Sequence, residues 1–251
     1  EIVMKFRHLI DEHKMNDLYS PIESVTGRVK SVSSILEKVQ RKNIPMENVE
    51  DELEDIAGVR IICQFEEDID AVEHIIEKRT DMQIKSRKDY LKNIKKSGYR
   101  SLHLIIYYTV QTIDCAKRIP VEIRTLAMNF WATIEHSLQY KYHGSMPPHV
   151  AARLSSAADA IELLDREMSS VRSEIMDAQN SSQMKMNLVK DILSTIEKLY
   201  QSANQREVEK VQNEFLRVFE TNDIQQLQRF HRQLDIIAEG YRAQTVETRF
   251  F

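Results

Sequence analysis

The chain is short of the residues that punctuate and staple a polypeptide. It has five glycines and five prolines in 251 residues, too few turn residues for a long all-β protein, so helix should dominate. The two cysteines, Cys63 and Cys115, make no disulfide framework and have no metal-ligand spacing. Cys63 lies inside an apolar run, as a buried free thiol does, and a reducing cytoplasm fits it. No apolar run approaches membrane-spanning length. No signal-peptide pattern is visible, but the chain opens on Glu1 rather than Met, so this second absence says little about compartment. A surplus of cations is also missing: the net charge of −4 argues against coating bulk DNA.

What remains is 42% hydrophobic and 29% charged, enough apolar matter for one large or two small domains. Residues 2–13 read as a short amphipathic helix. Ser20-Pro21-Ile22-Glu23 has the form of a helix start, with a capping serine, a proline for the first turn and a glutamate to complete the box. Gly27 interrupts it, and 32–42 is a second helix with Arg28 and Lys30 at its start, beside free backbone N–H groups that suit an anion. Asp55 to Phe65 is a turn into a buried strand, 68–79 a helix, 82–88 a strand, 102–110 a long apolar strand, 111–117 a hairpin connection and 119–124 a returning strand. Residues 125–142 form a helix with the only tryptophan, Trp131. A long helix over 149–179 breaks at Asn180-Ser181-Ser182, and three further helices cover 188–200, 207–219 and 224–237. The expected architecture is α+β, a mixed β-sheet flanked by helices over 1–179, with an all-helical extension over 180–251.

The chemistry gathers around a basic loop, Ser86 to Ile106, with Arg87, Lys88, Lys92, Lys95, Lys96 and Arg100 against one acid, Asp89. Clustered cations on a loop hold a polyphosphate or simply face water. Tyr99 is where a ring can stack on a base, and His103 has the same parity. Asp55, at a strand mouth, is a turn residue or a metal ligand. Glu122, the lone acid of a short apolar strand, needs Mg²⁺, a lysine or an arginine as partner.

Several pieces stand in a telling order: Gly27-Arg28-Val29-Lys30-Ser31, Asp55-Ile56-Ala57-Gly58-Val59-Arg60, Lys88-Asp89-Tyr90, Lys95, Ser97-Gly98-Tyr99-Arg100-Ser101-Leu102-His103, Glu122-Ile123, Arg124-Thr125 and Trp131 to His136. Over roughly 19–170 the chain resembles the nucleotidyltransferase-like synthetase domain of the RelA/SpoT family. Within it, Ser20-Pro21-Ile22-Glu23 and Leu126 to Trp131 are similar to the RelQ-type small alarmone synthetases. The resemblance implies a GTP diphosphokinase that moves pyrophosphate from ATP to the 3′-hydroxyl of GDP or GTP, with Mg²⁺. It implies that Arg28 and Arg60 sandwich adenine and that Lys30, Ser34 and Lys38 meet ATP phosphates. Lys88 and Lys95 would neutralise transition-state charge, Tyr99 would stack on guanine and His103 would meet the acceptor's phosphates. Asp55 and Glu122 would be the acidic pair, Asp55 on the metal and Glu122 sharing the ion or taking the proton. No histidine is followed by aspartate, so the hydrolase motif of the family is not expected.

Two departures stand out. Glu122-Ile123-Arg124-Thr125 replaces a family pattern two residues longer, which shortens the strand by roughly 7 Å yet keeps Arg124 on the expected side. The RelQ type also implies a homotetramer with a central product-binding cleft. Glu23, Thr26 and Asn129 match that cleft, but Ser24 stands where phenylalanine is usual. A non-catalytic module on the same fold, gripping single-stranded RNA with the basic loop and Tyr99, is the alternative.

Overall fold

A computed structural model describes residues 1–53, 55–110, 115–141, 146–200 and 203–247. The chain divides into two compact units, Glu1–Val171 and a second from Arg172 onward.

The first unit is built on a five-stranded sheet. Its elements run α1 (Ile2–Met15), β1 (Ser24–Val29), α2 (Val32–Lys42), a 3₁₀ turn (Met46–Asn48), α3 (Val49–Glu52), β2 (Ala57–Cys63), α4 (Glu67–Glu77), β3 (Met82–Asp89), β4 (Leu102–Val110), β5 (Cys115–Thr125), α5 (Leu126–Lys141) and the start of α6 (Pro148–Leu199). The strand order is β1-β2-β5-β4-β3. Only β2 and β5 run parallel; the other pairs are antiparallel, so the sheet is mixed. Pro120 lies within β5, an interior strand, and is tolerated because pairing with β2 begins one residue later, at Val121. One face buries Val59, Ile61, Cys63, Leu102, Leu104, Ile106, Val121 and Ile123 against Ile2, Phe6 and Ile10 of α1 and Ile69, Val72 and Ile76 of α4.

Three expectations are corrected. Ser20-Pro21-Ile22-Glu23 starts no helix: Ser20 Oγ accepts from the Ile22 N–H at 3.2 Å, a local turn, and Ser24–Val29 becomes an edge strand on β2. Capping chemistry serves a turn as well as a helix, and strand pairing decided between them. Gly27 accordingly sits inside β1, where a Cβ would meet Val3 of α1 at 2.8 Å. The connection over 111–117 is shorter than expected at its C-terminal side, because β5 already begins at Cys115; residues 111–114 lie outside those described. Asn180-Ser181-Ser182 makes no break either, since α6 runs through it. Polar residues lower helix propensity only slightly, and without glycine or proline nothing stops a long helix.

The second unit holds the rest of α6 with α7 (Gln205–Glu220) and α8 (Ile224–Glu247). Its own core joins Ile192, Ile196 and Leu199 to Val208, Phe215, Leu227, Phe230 and Leu234. Asn204 caps α7 by accepting from the Glu207 N–H at 3.0 Å. Among the described residues no helix is long and apolar enough to cross a membrane.

Candidate active site

Each strand gives one residue to a row across the sheet. Thr26 pairs with Arg60, Arg60 with Glu122, Glu122 with His103 and His103 with Lys88. Residues opposite one another on neighbouring strands share a face. The row therefore runs Thr, Arg, Glu, His, Lys from β1 to β3, on the side away from the core. Arg28 and Arg124 stand two residues along from Thr26 and Glu122 and share that side. A cleft of about 740 Å³ opens there, lined by Thr26, Arg28, Asp55, Arg60, Lys95, Tyr99, His103, Glu122 and Arg124 of the strands and loops, with Thr133, Glu135 and His136 of α5.

Glu122 is held on both oxygens. Its Oε2 accepts from Arg60 Nε at 2.8 Å and Arg124 Nη2 at 2.6 Å. Its Oε1 accepts the Tyr99 hydroxyl and lies 3.5 Å from His103 Nε2. Burial alone pushes this carboxyl up; the His103 hydrogen bond, the Arg124 charge, the Tyr99 hydroxyl and the Arg60 charge outweigh it and hold the group well below the usual carboxylate range. Burial and the Glu122 charge push the Tyr99 phenol up in turn. Two residues fewer in this strand leave Arg124 on Glu122's side, as parity requires, and nearly sealed at 2% exposure.

Asp55 is held on one oxygen only. Lys30 Nζ and Lys38 Nζ both lie 2.6 Å from Oδ2. Burial raises its pKa, and the two lysine hydrogen bonds with their charges bring it down to about 2. Oδ1 is buried with no partner. The lysines come from opposite sides of the Ser31 cap of α2, where Ser31 Oγ accepts from the Ser34 N–H at 3.3 Å. Lys30 precedes the cap and is anchored by its N–H to the Ile56 carbonyl at 2.8 Å, while Lys38 reaches back from the helix.

The bare Oδ1 is the feature a divalent cation would use, and Asp55 fits that role. Glu122 does not fit it while two guanidinium groups hold Oε2. Among the described residues no group of three metal-ligating side chains exists. Mg²⁺ asks for less than that, one or two carboxylates with substrate phosphates supplying the rest.

The basic loop is sorted by its contacts. Lys95 Nζ lies 4.3 Å from the Tyr90 ring centre and 4.5 Å from that of Tyr99. Arg87 is taken by Glu73 at 2.6 Å and Asp89 at 2.9 Å, and Arg100 is buried against Glu66 at 3.0 Å, so neither is a loop cation waiting for phosphate. Lys88 is exposed at the β3 end of the row, outside the cleft lining. Gly98, at φ +86°, closes the loop with its N–H on the Lys95 carbonyl at 2.8 Å. Tyr99 precedes the strand, yet its hydroxyl meets His103 Nε2 at 2.8 Å.

Of the residues singled out for a product cleft, Thr26 lines the cleft just described. Glu23 is exposed and accepts from Gln64 at 2.7 Å, and Asn129 sits on α5 with a buried, unpartnered Oδ1. No hydrogen bond joins the three. Sequence reasoning passed over Arg124, Glu135 and His136 as cleft residues, and Tyr90 as the neighbour of Lys95, Tyr99 and His103. Tyr90 had a signal in its place directly after Lys88-Asp89; the other three depend on how β5 and α5 meet the sheet.

Residues 27–145 match the region found in RelA / SpoT proteins. The GTP pyrophosphokinase YjbM of Bacillus subtilis is 49% identical over 181 residues, which is 71% of this chain and 85% of that one. YwaC of the same organism is 38% identical over 68% and 83%. Among solved structures, small alarmone synthetase 1 of B. subtilis bound to its product pppGpp superposes with a TM-score of 0.65 at 47% identity, over 69% of this chain and 90% of that one. A GTP pyrophosphokinase family protein of Streptococcus pneumoniae gives 0.65 at 46% identity, over 71% and 89%. With 49% identity across 71% of the chain and 85% of that relative, and a fold shared with the solved synthetases, the chain belongs to the RelA/SpoT family, among its small alarmone synthetases.

Proposed function

We propose that the chain is a GTP pyrophosphokinase, which transfers the β,γ-pyrophosphate of ATP to the ribose 3′-hydroxyl of GDP or GTP to make ppGpp or pppGpp. The observation that carries this reading is a single cleft in which two acids besides Glu135 differ in character. Asp55 is held by two lysines with one oxygen bare, and Glu122 is held within a phenol, an imidazole and two guanidinium groups. In the reaction the 3′-oxygen bonds to the β-phosphorus while the bond from that phosphorus to the α-phosphate's bridging oxygen breaks, and AMP leaves. The 3′-hydroxyl proton passes to Glu122. Its Oε1, which faces the Tyr99 hydroxyl and His103 rather than guanidinium, is the oxygen that meets the hydroxyl.

Arg28 and Arg60 flank adenine, since planar guanidinium stacks where an ammonium does not. Lys30, Ser34 and Lys38 bind ATP phosphates, Lys95 offsets the charge that grows on the transferred group while Lys88 adds positive charge from outside the cleft lining, and Tyr99 and His103 receive the acceptor nucleotide. Asp55 would hold Mg²⁺ through its bare Oδ1, and the ion would supply positive charge against the phosphates. Most of the rate comes from positioning two nucleotides in one cleft. Single-stranded RNA is the lesser reading, because buried acids beside cations repel a phosphate chain. Nucleotide substrates and the buried Cys63 thiol suit a reducing cytoplasm. A homotetramer, and a central cleft for product using Glu23, Thr26 and Asn129 of assembled copies, go with this family reading.

The experiment is thin-layer chromatography of labelled ATP with GDP or GTP. Wild type should yield ppGpp or pppGpp and AMP, Asp55→Asn should abolish transfer, and Tyr99→Ala should raise the acceptor's KM on the order of tenfold, as loss of one base–ring stack does. Undiminished transfer by Asp55→Asn would remove the metal assignment.

A further inference from the structure

We propose that Tyr90 is a positioning residue for Lys95, the second wall of a ring cage that keeps the ammonium beside Tyr99. The proposal rests on the pyrophosphokinase reading, in which Lys95 meets phosphate. Nζ sits 4.3 Å from one ring centre and 4.5 Å from the other, both within cation–π range. The rings stand 6.1 Å apart at 70°, which leaves room for one ammonium against both. Among the described residues Lys95 makes no ion pair, unlike Lys30 and Lys38, which share Asp55.

That difference matters chemically. A carboxylate neutralises a lysine and competes with any phosphate for it. A neutral ring orders the side chain and leaves its whole charge for the incoming anion. Holding a flexible lysine before the substrate arrives also removes an entropic cost from the step that needs it.

Tyr90 is itself held in place. Its N–H donates to the Ser101 carbonyl at 3.0 Å, and Asp89 Oδ1 accepts from the Leu91 and Lys92 N–H groups at 2.9 and 3.0 Å, which fixes the turn leaving β3. The Tyr90 ring also meets His103 edge-on, 5.1 Å between centres at 89°. One ring thus steadies both Lys95, proposed to meet the transferred phosphates, and His103, proposed to meet the acceptor.

The test compares Tyr90→Phe, which keeps the ring, with Tyr90→Leu, which removes it. Tyr90→Phe should hold kcat within about twofold, and Tyr90→Leu should lower it on the order of tenfold, the size of a partly desolvated cation–π contact. The KM for ATP should not move, and melting curves should show both variants folded. A second arm reads the cage without activity. In protein carrying ¹³C-lysine, the Lys95 ε-methylene signal, assigned by its loss in Lys95→Arg, should be shifted upfield by ring currents in wild type and Tyr90→Phe and should lose much of that shift in Tyr90→Leu. Full kcat in Tyr90→Leu, equal losses in both variants, or an unshifted Lys95 signal in wild type would overturn the proposal. A wild type that transfers no pyrophosphate would overturn the pyrophosphokinase reading instead, and the spectroscopic arm alone would then decide the cage.

Discussion

Arg124 does for Glu122 what Lys30 and Lys38 do for Asp55, but from a sealed position. Its guanidinium holds Oε2 at 2.6 Å while its own Nε is buried with no partner. A buried cation beside a carboxylate keeps that carboxylate ionised at low pH and makes it a poorer proton acceptor. Arg124→Gln leaves Arg60 in place and removes the stronger of the two guanidinium charges on Glu122. The Glu122 pKa should therefore rise toward the ordinary range. If Glu122 takes the 3′-hydroxyl proton, the acid limb of the kcat profile moves to higher pH in the variant. A pH–rate series on both proteins checks this; an unmoved limb would take Glu122 out of the proton-accepting role. The resemblance pointed to Glu122 and Asp55 as a pair. It did not show that one acid would have both oxygens occupied and the other a bare one, because that depends on which cations four separate elements deliver.

Elements dock through a few polar contacts that can be tested one at a time. The join between β5 and α5 depends on Thr125, whose hydroxyl donates to Asp165 of α6 at 2.7 Å and accepts the Met128 N–H at 3.1 Å. Asp165 is 4% exposed. Burial raises its pKa, the Thr125 hydrogen bond opposes this, the Glu66 charge adds to it and the Arg100 charge opposes it; the result is about 6 against an ordinary 3.8. With the folded pKa above the unfolded one, the native state binds more protons between these values, so stability falls as pH rises through that window. The cost is complete above about pH 6 and absent below about 4. Asp165→Asn keeps an acceptor for Thr125 and removes the buried charge. It should stabilise the protein at pH 8 by up to about 3 kcal/mol and by little at pH 4, measured as denaturant midpoints at the two values. Long apolar strands and helices with clear periodicity were legible at this scale: α2 and β4 have the bounds read from sequence. β1 was not, because Ser24–Val29 has one buried residue, Val25, and its strand character comes from pairing with β2.

At the scale of the molecule, an apolar ridge on α5 needs a cover. Leu126, Phe130, Ile134 and Leu138 follow one another every four residues and are 51%, 64%, 45% and 44% exposed. Exposed apolar ridges of this kind are where chains self-associate. If the protein is a homotetramer built partly on this ridge, Phe130→Glu should yield a smaller species by sedimentation or light scattering while keeping its helical circular dichroism. A variant of unchanged mass would place assembly elsewhere. The cleft lies on α5's other side, at Ala132, Thr133, Glu135 and His136, so one helix serves both surfaces. The unit from Arg172 onward has a core of its own, and the curated relatives match about 70% of the chain.

The amino-acid order by itself determined the class of the fold, the bounds of its most apolar elements and the chemical cast of the site, because periodicity, turn chemistry and ordered motifs are local and survive without a neighbour. Only the tertiary structure decided which cation meets which acid, that Arg87 and Arg100 are spent on Glu73 and Glu66, and that Tyr90 shares Lys95 with Tyr99. Apart from Arg124 with Glu122 on one strand, those pairings join side chains from separate elements or from opposite arms of a loop. Strand register and loop closure set them, and neither can be read from any one stretch of the chain.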